Sequence, residues 1–205
     1  MEKLLFLFPR KEGLTREEFF EHYLDVHAPL GLSVTQTMVH YAVNLRDGHD
    51  HAPDGVDAFT ETWTESVADF MDPAKSFATP EDARRLMTDH DSFIGAPFDV
   101  YAVAERVRKG VERPPPTRDR TRGTRVVVAI TGDGAEARLA GLLDRDGVVR
   151  YVDNDVASAM ATDAFGPHRA FVLLNLAPED GLVGEIESLV GDDGAVYRVS
   201  EYVQK

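Results

Sequence analysis

The chain contains no cysteine, which removes disulfides and thiolate metal sites from consideration. Long apolar runs are missing too. Leu4-Leu5-Phe6-Leu7-Phe8 is stopped by Pro9, too short for a signal h-region or a membrane span. No other stretch reaches that length, so cytoplasmic residence is the expectation. Positive charge is scarce: 22 Lys and Arg stand against 36 Asp and Glu, a formal net charge of −14. Such a surface repels phosphate backbones and anionic lipid, and no nucleic-acid or membrane partner is expected. The exception is the basic stretch from Arg106 to Arg125, which reads as a solvated linker. Phosphate loops and nucleophile elbows are lacking as well, since Gly132-Asp133-Gly134 has neither the third glycine nor its distance.

What is present suffices for a real core: 43% of 205 residues are hydrophobic, a length suited to two small domains. Around Pro114-Pro115-Pro116 there is no apolar periodicity, and consecutive prolines favour extended backbone that cannot donate to a sheet. Residues 111–123 therefore read as a linker between units at 1–110 and 124–205. In the first unit a strand at Leu4–Phe8 precedes a turn at Gly13. Thr15-Arg16-Glu17-Glu18 then has capping-box spacing, followed by the apolar stripe Phe19, Phe20, Tyr23, Leu24 of a helix. Pro29 predicts its end near His27. Strands follow at Met38–Leu45 and Ala58–Trp63, helices at Ser66–Met71 and Pro80–His90, and a strand at Phe98–Glu105. The second unit repeats the order, with strands at Arg125–Thr131, Val148–Val152, Ala170–Leu176 and Ala195–Val203 and helices at Gly134–Leu143 and Pro178–Val190.

The pattern predicts an α+β fold of two tandem ferredoxin-like βαββαβ units. Leu4–Phe8 and Val126–Ile130 are apolar on both faces, whereas a one-sided antiparallel sheet would alternate. Helices cover one face of each sheet, so the two antiparallel sheets are expected to pack face to face as an intramolecular dimeric-type α/β barrel. A ligand cavity between a sheet and its helices is the corresponding expectation.

The entry Arg10-Lys11-Glu12-Gly13-Leu14-Thr15-Arg16-Glu17-Glu18-Phe19, followed by Tyr23 and then His27-Ala28-Pro29-Leu30, resembles the EthD family. Trp63, Asp69-Phe70 and Asp91-Ser92-Phe93-Ile94 fit the rest of that pattern, so the likeness covers residues 3–105. The second unit lacks the motif and looks like a degenerate tandem copy. The resemblance implies the dimeric α/β-barrel fold, normally built by two chains. Named members are associated with ether degradation, and relatives act as polyketide cyclases, dehydratases or decarboxylases. Others of the barrel class are cofactor-free monooxygenases of aromatic polyketides, or haem proteins. Fold analogy does not choose among these.

The functional expectation is a barrel that binds a small hydrophobic, oxygenated molecule. It would be a cofactor-free cyclase, dehydratase or monooxygenase using a histidine as acid/base. A non-catalytic ligand-binding or accessory protein is the alternative, with haem binding third. His27 shares the helix stripe of Phe19 and Tyr23 at i, i+4, i+8, and an imidazole can move a proton at neutral pH. His40 alternates with Tyr41 on its strand and is expected to face the barrel interior as its helper. Tyr23, Phe59, Trp63 and Tyr101 are candidates for the pocket lining, with core packing the competing role. His90 beside Asp91 reads as a surface helix end, since i, i+1 neighbours diverge. His22 reads as exposed, His168 as a turn residue, and His49-Asp50-His51 as a loop cluster lacking enough ligands for a dedicated metal site. No metal or other cofactor is expected. Further association into a homodimer of pseudo-dimers stays open, as do the substrate and the reaction.

Overall fold

The computed structural model describes residues 1–48, 55–110, 124–160, 165, 167–177 and 181–204. The linker 111–123, the His49-Asp50-His51 cluster and Pro178 lie outside the described residues. The described residues form eight strands: β1 (Glu2–Phe8), β2 (Met38–Arg46), β3 (Ala58–Thr64), β4 (Asp99–Lys109), β5 (Thr124–Ile130), β6 (Val148–Ala159), β7 (Ala170–Leu176) and β8 (Gly194–Val203). They form one closed antiparallel barrel in the order β1-β3-β2-β8-β5-β7-β6-β4. The first four strands run β4-β1-β3-β2 and the last four β8-β5-β7-β6, the same order twice. The two sets meet edge to edge as well as across the interior, through β2–β8 and β4–β6. The expected α+β barrel is thus present, closed as a continuous ring in which the two four-stranded sets also pair along their edges.

On the outer face of the first half lie α1 (Arg16–His22), α2 (Ala28–Val34), α3 (Val67–Met71), α4 (Pro73–Ser76) and α5 (Pro80–Phe93). The capping box forms: Thr15 Oγ accepts from the Glu18 amide at 3.2 Å while Glu18 Oε2 accepts from the Thr15 amide at 2.7 Å. The helix does not stop at His27. Tyr23–His27 form a π-helical turn, and the Ala28 amide bonds the Tyr23 carbonyl five residues back. Widening the helix at this point accommodates Pro29, which has no amide to donate, and α2 continues directly from it. On the second half, α6 (Ala135–Ala140) and α7 (Leu182–Val190) pack Leu139, Leu182, Val183 and Ile186 directly against Val126, Val128 and Ile130. No helix among the described residues is long and apolar enough to cross a membrane.

Inside the barrel two kinds of packing meet. One part is apolar, built from Leu5, Leu7, Phe59, Tyr101, Val127, Leu173, Tyr197 and their neighbours. The other part is ionic. Lys3 Nζ bonds Glu61 Oε2 at 2.8 Å, Glu105 Oε2 at 2.6 Å and Asn154 Oδ1 at 2.7 Å. Arg125 reaches Glu61 Oε1 at 2.6 Å and Glu201 Oε1 at 2.7 Å. Glu61 is fully enclosed. Burial pushes its pKa up, yet Lys3, Arg125 and Arg150 outweigh burial and hold the carboxyl well below its usual range. Because the Glu61–Arg125 and Lys3–Asn154 bonds join the two halves, Glu61 ties the halves together through the interior. Replacing Glu61 with Ala strands Lys3 and Arg125 without their shared anion. Urea unfolding is expected to show a loss of about 3–5 kcal/mol, and a loss below about 1 kcal/mol would show that the network is dispensable.

Candidate functional site

Beneath the first-half helices, on the outer face of β1–β4, lies a cavity of about 290 Å³. It sits at the small end of the ~300–1,000 Å³ range of small-molecule sites. Its floor is Phe6 and Phe8 from β1, Met38 and Tyr41 from β2, Thr60 and Thr62 from β3 and Val100 from β4. His27, α3–α4 and α5 close it from above. A wider recess of about 840 Å³ opens at the barrel end beside Lys3, Trp63 and Glu105. There the three Lys3 hydrogens are taken and the Trp63 indole N–H is donated to Glu105 Oε1 at 3.0 Å. The smaller cavity is the one whose lining holds imidazoles and a phenol, His27, His90 and Tyr41.

His27 projects from the π-helical turn. Its Nδ1 lies 2.8 Å from Asp89 Oδ2, and Asp89 Oδ1 lies 2.8 Å from His22 Nε2. A carboxylate only accepts, so Nδ1 of His27 carries the hydrogen and Nε2 the lone pair. Burial lowers the His27 pKa, and the Asp89 carboxylate pulls it partly back. His90 faces the same cavity, its ring 5.9 Å from that of His27 and edge-on to Phe8 at 5.3 Å and Phe98 at 5.0 Å. Burial first, and the His27 imidazole second, push His90 down to about 4. Both imidazoles are therefore neutral at pH 7. On the floor, Tyr23 Oη and Thr60 Oγ1 are 2.5 Å apart, and Tyr41 shares hydrogen bonds with both. Burial raises the Tyr23 phenol to about 12 and Tyr41 well above its ordinary value, so both remain O–H donors.

The structure divides the residues singled out in the sequence. His27 lines the cavity, and Tyr23 packs beneath it with ring centroids 5.3 Å apart. His40, Phe59, Trp63 and Tyr101 lie on the other face of the sheet, inside the barrel. His40 stands edge-on to Trp63 at 4.8 Å, Phe59 meets Tyr197 at 4.8 Å, and Tyr101 meets Phe171 at 5.4 Å. Strand alternation separates them from His27: Thr60 and Thr62 face the helices, so Phe59, Glu61 and Trp63 face inward. A bulge between Met38 and His40 moves Val39 out to 40% exposure. The apolar set of β2 facing the helices is consequently Met38, Tyr41, Val43 and Leu45.

His90, Asp89, Tyr41 and Thr60 were not recognised from sequence as parts of the site. His90 is a wall of the cavity and not a surface helix end. Its signal was the spacing Ala83, Leu86, His90, Phe93, which lies on one helix face. His22 is held by Asp89 and packs its ring 4.6 Å from Phe93. The two imidazoles bond opposite oxygens of Asp89, and among the described residues no group of three or more acidic or imidazole side chains could hold a metal ion.

A closed eight-stranded barrel with a cavity under the helices of one half defines a dimeric α/β-barrel protein. The first half carries an EthD domain, whose profile matches residues 11–97. The fold is similar to that of an anthrone oxidase-like protein, at 12% identity and TM-score 0.62 over 100% of this chain and 91% of the other. It is also similar to a candidate monooxygenase from Fusobacterium nucleatum subsp. nucleatum ATCC 25586, at 9% identity and TM-score 0.52 over 100% and 92% of the two chains. A mutant chlorite dismutase from Candidatus Nitrospira defluvii matches at 9% identity and TM-score 0.52 over 97% and 90%. These identities establish fold alone. Among curated proteins none matches the sequence.

The depressed His90 pKa has a consequence for stability. Its folded value of about 4 lies below the ordinary 6.5, so the folded state resists the proton that the unfolded chain accepts. This contribution is complete above about pH 6.5 and is lost as pH falls toward 4. In thermal denaturation across that window, wild type is expected to lose on the order of 2 kcal/mol more than His90→Leu. Parallel curves for the two proteins would show that His90 is freely solvated.

Proposed function

We propose that the chain is an EthD-type enzyme in which His27 removes or returns a proton on a small hydrophobic, oxygenated molecule without a cofactor. The observation that carries this reading is the His27–Asp89 pair: it fixes Nε2 as the basic nitrogen at the wall of a cavity without charged lining residues. Burial keeps the imidazole unprotonated at neutral pH, and Asp89 favours the imidazolium formed on proton transfer. The Tyr41–Tyr23–Thr60 hydroxyls supply donors for an oxygen that gains charge as the proton leaves. An enolate or phenolate made there can expel water, close a ring or react with dioxygen. These are the dehydratase, cyclase and monooxygenase branches of one step, and the anthrone oxidase-like and monooxygenase names of the structural neighbours fit the third. A porphyrin needs more room than about 290 Å³ offers, which weighs against haem in this cavity.

We read the two halves as tandem ferredoxin-like units, 1–110 and 124–205. Their identical strand order supports this. The second is a copy whose helices rest directly on its sheet and which lacks the histidine loop.

Anthrone, an uncharged carbon acid, tests the reaction. Its oxidation consumes one dioxygen and yields anthraquinone and one water. His27→Ala is expected to lower kcat/KM by about 10²–10⁴, and Asp89→Asn by less, read by absorbance and oxygen uptake. An unchanged rate in His27→Ala overturns the assignment. Anthrone bound by wild type with no conversion favours the binding-protein alternative.

A further inference from the structure

The chain is rich in charge, yet none of it lines this cavity. Among the described residues the lining contains no Asp, Glu, Lys or Arg. The acid behind the wall, Asp89, has its two oxygens taken by His22 and His27. The basic residues of the covering helices are likewise engaged: Lys75 pairs with Asp69, Arg84 with Glu81, and Arg85 with Asp82. Met71 and Met87, 43% and 49% exposed, border the opening and offer thioethers in place of charge.

On the sheet that floors the cavity, the polar side chains are neutral hydroxyls and occupy one side. Across the sheet, Val100, Phe6 and Thr60 form one row, and Leu4, Thr62 and Tyr41 the next. Hydroxyls therefore collect over β2 and β3, and rings over β1 and β4. We infer that the cavity selects an uncharged, carrier-free phenol or ketone, its oxygen toward Tyr41 and Thr60 and its ring toward Phe6, Phe8 and Phe98. A carboxylate would lose its water and meet no cation, a cost of several kcal/mol. A carrier-tethered acyl chain would bring a phosphodiester to an opening without a free guanidinium or ammonium in its lining.

The inference rests on the proposed site but not on its chemistry, so binding is read without turnover. The probes are 2-naphthol and 2-naphthoate, two-ring molecules of similar size that differ in charge at pH 7.5, titrated calorimetrically into the full chain. 2-Naphthol is expected to bind, and 2-naphthoate about 100-fold more weakly or worse. Tyr41→Phe is expected to weaken 2-naphthol up to about tenfold. Met87→Arg, a change at an exposed position, is expected to raise 2-naphthoate affinity about tenfold. Equal or tighter binding of 2-naphthoate by wild type overturns the inference, and so does failure of 2-naphthol to bind. An inert His27→Ala result with anthrone alongside selective naphthol binding would overturn the base assignment and leave this inference standing.

Discussion

The packed apolar and ionic interior of the barrel is the constraint on which the rest of the structure depends. Leu5, Phe59, Tyr101, Leu173 and Tyr197 fill one part of the interior, and the Lys3–Glu61–Arg125–Glu201 chain of charges fills the rest. Each ion is held by an opposite charge from a different strand, which is the arrangement a buried charge requires. The cavity that His27 lines lies outside the ring, where helices stand off the sheet. In the second half Leu139, Ile186 and Val190 pack against the sheet themselves. The first half differs because Thr60, Thr62 and Tyr41 on its sheet lie beneath helices that hold His27 and His90 at a distance.

The π-helical turn is the local device that makes the site. A proline at position 29 would disrupt a regular helix, and the widened turn absorbs it while continuing into α2. The same turn carries His27 to the cavity wall, within bonding distance of Asp89 on α5. His27, its partner Asp89 and the second imidazole, His90, thus come from two helical segments separated by more than fifty residues. Their neutrality arises from enclosure, since burial is the largest influence on both His27 and His90.

Much of the fold was legible along the chain. Turn residues and apolar runs marked all eight strands to within a few residues, apart from the longer β6, and the capping box marked the first helix start. His27 was legible through its motif and its place on the Phe19–Tyr23 stripe. The i, i+3, i+4 pattern that His90 shares with Leu86 and Phe93 sets it on the cavity side of α5, although its neighbour Asp91 suits a surface helix end. Phe59, Trp63 and Tyr101 face inward by alternation, with Trp63 on the wall of the recess at the barrel end. Their aromatic character suits either face, and nothing in the sequence marks which face holds the cavity.

The sequence by itself determined the order of elements, the two-faced apolar strands that demand cover on both sides, and an imidazole near a proline in the first helical segment. These are local facts, set by turn chemistry and by the periods of helix and strand. Only the tertiary structure decided that the sheets join along their edges, that Lys3 and Glu61 meet Arg125 in the interior, and that Asp89 reaches His27. Each depends on the registry of elements distant in sequence, where a shift of one residue would exchange the face that binds for the face that packs.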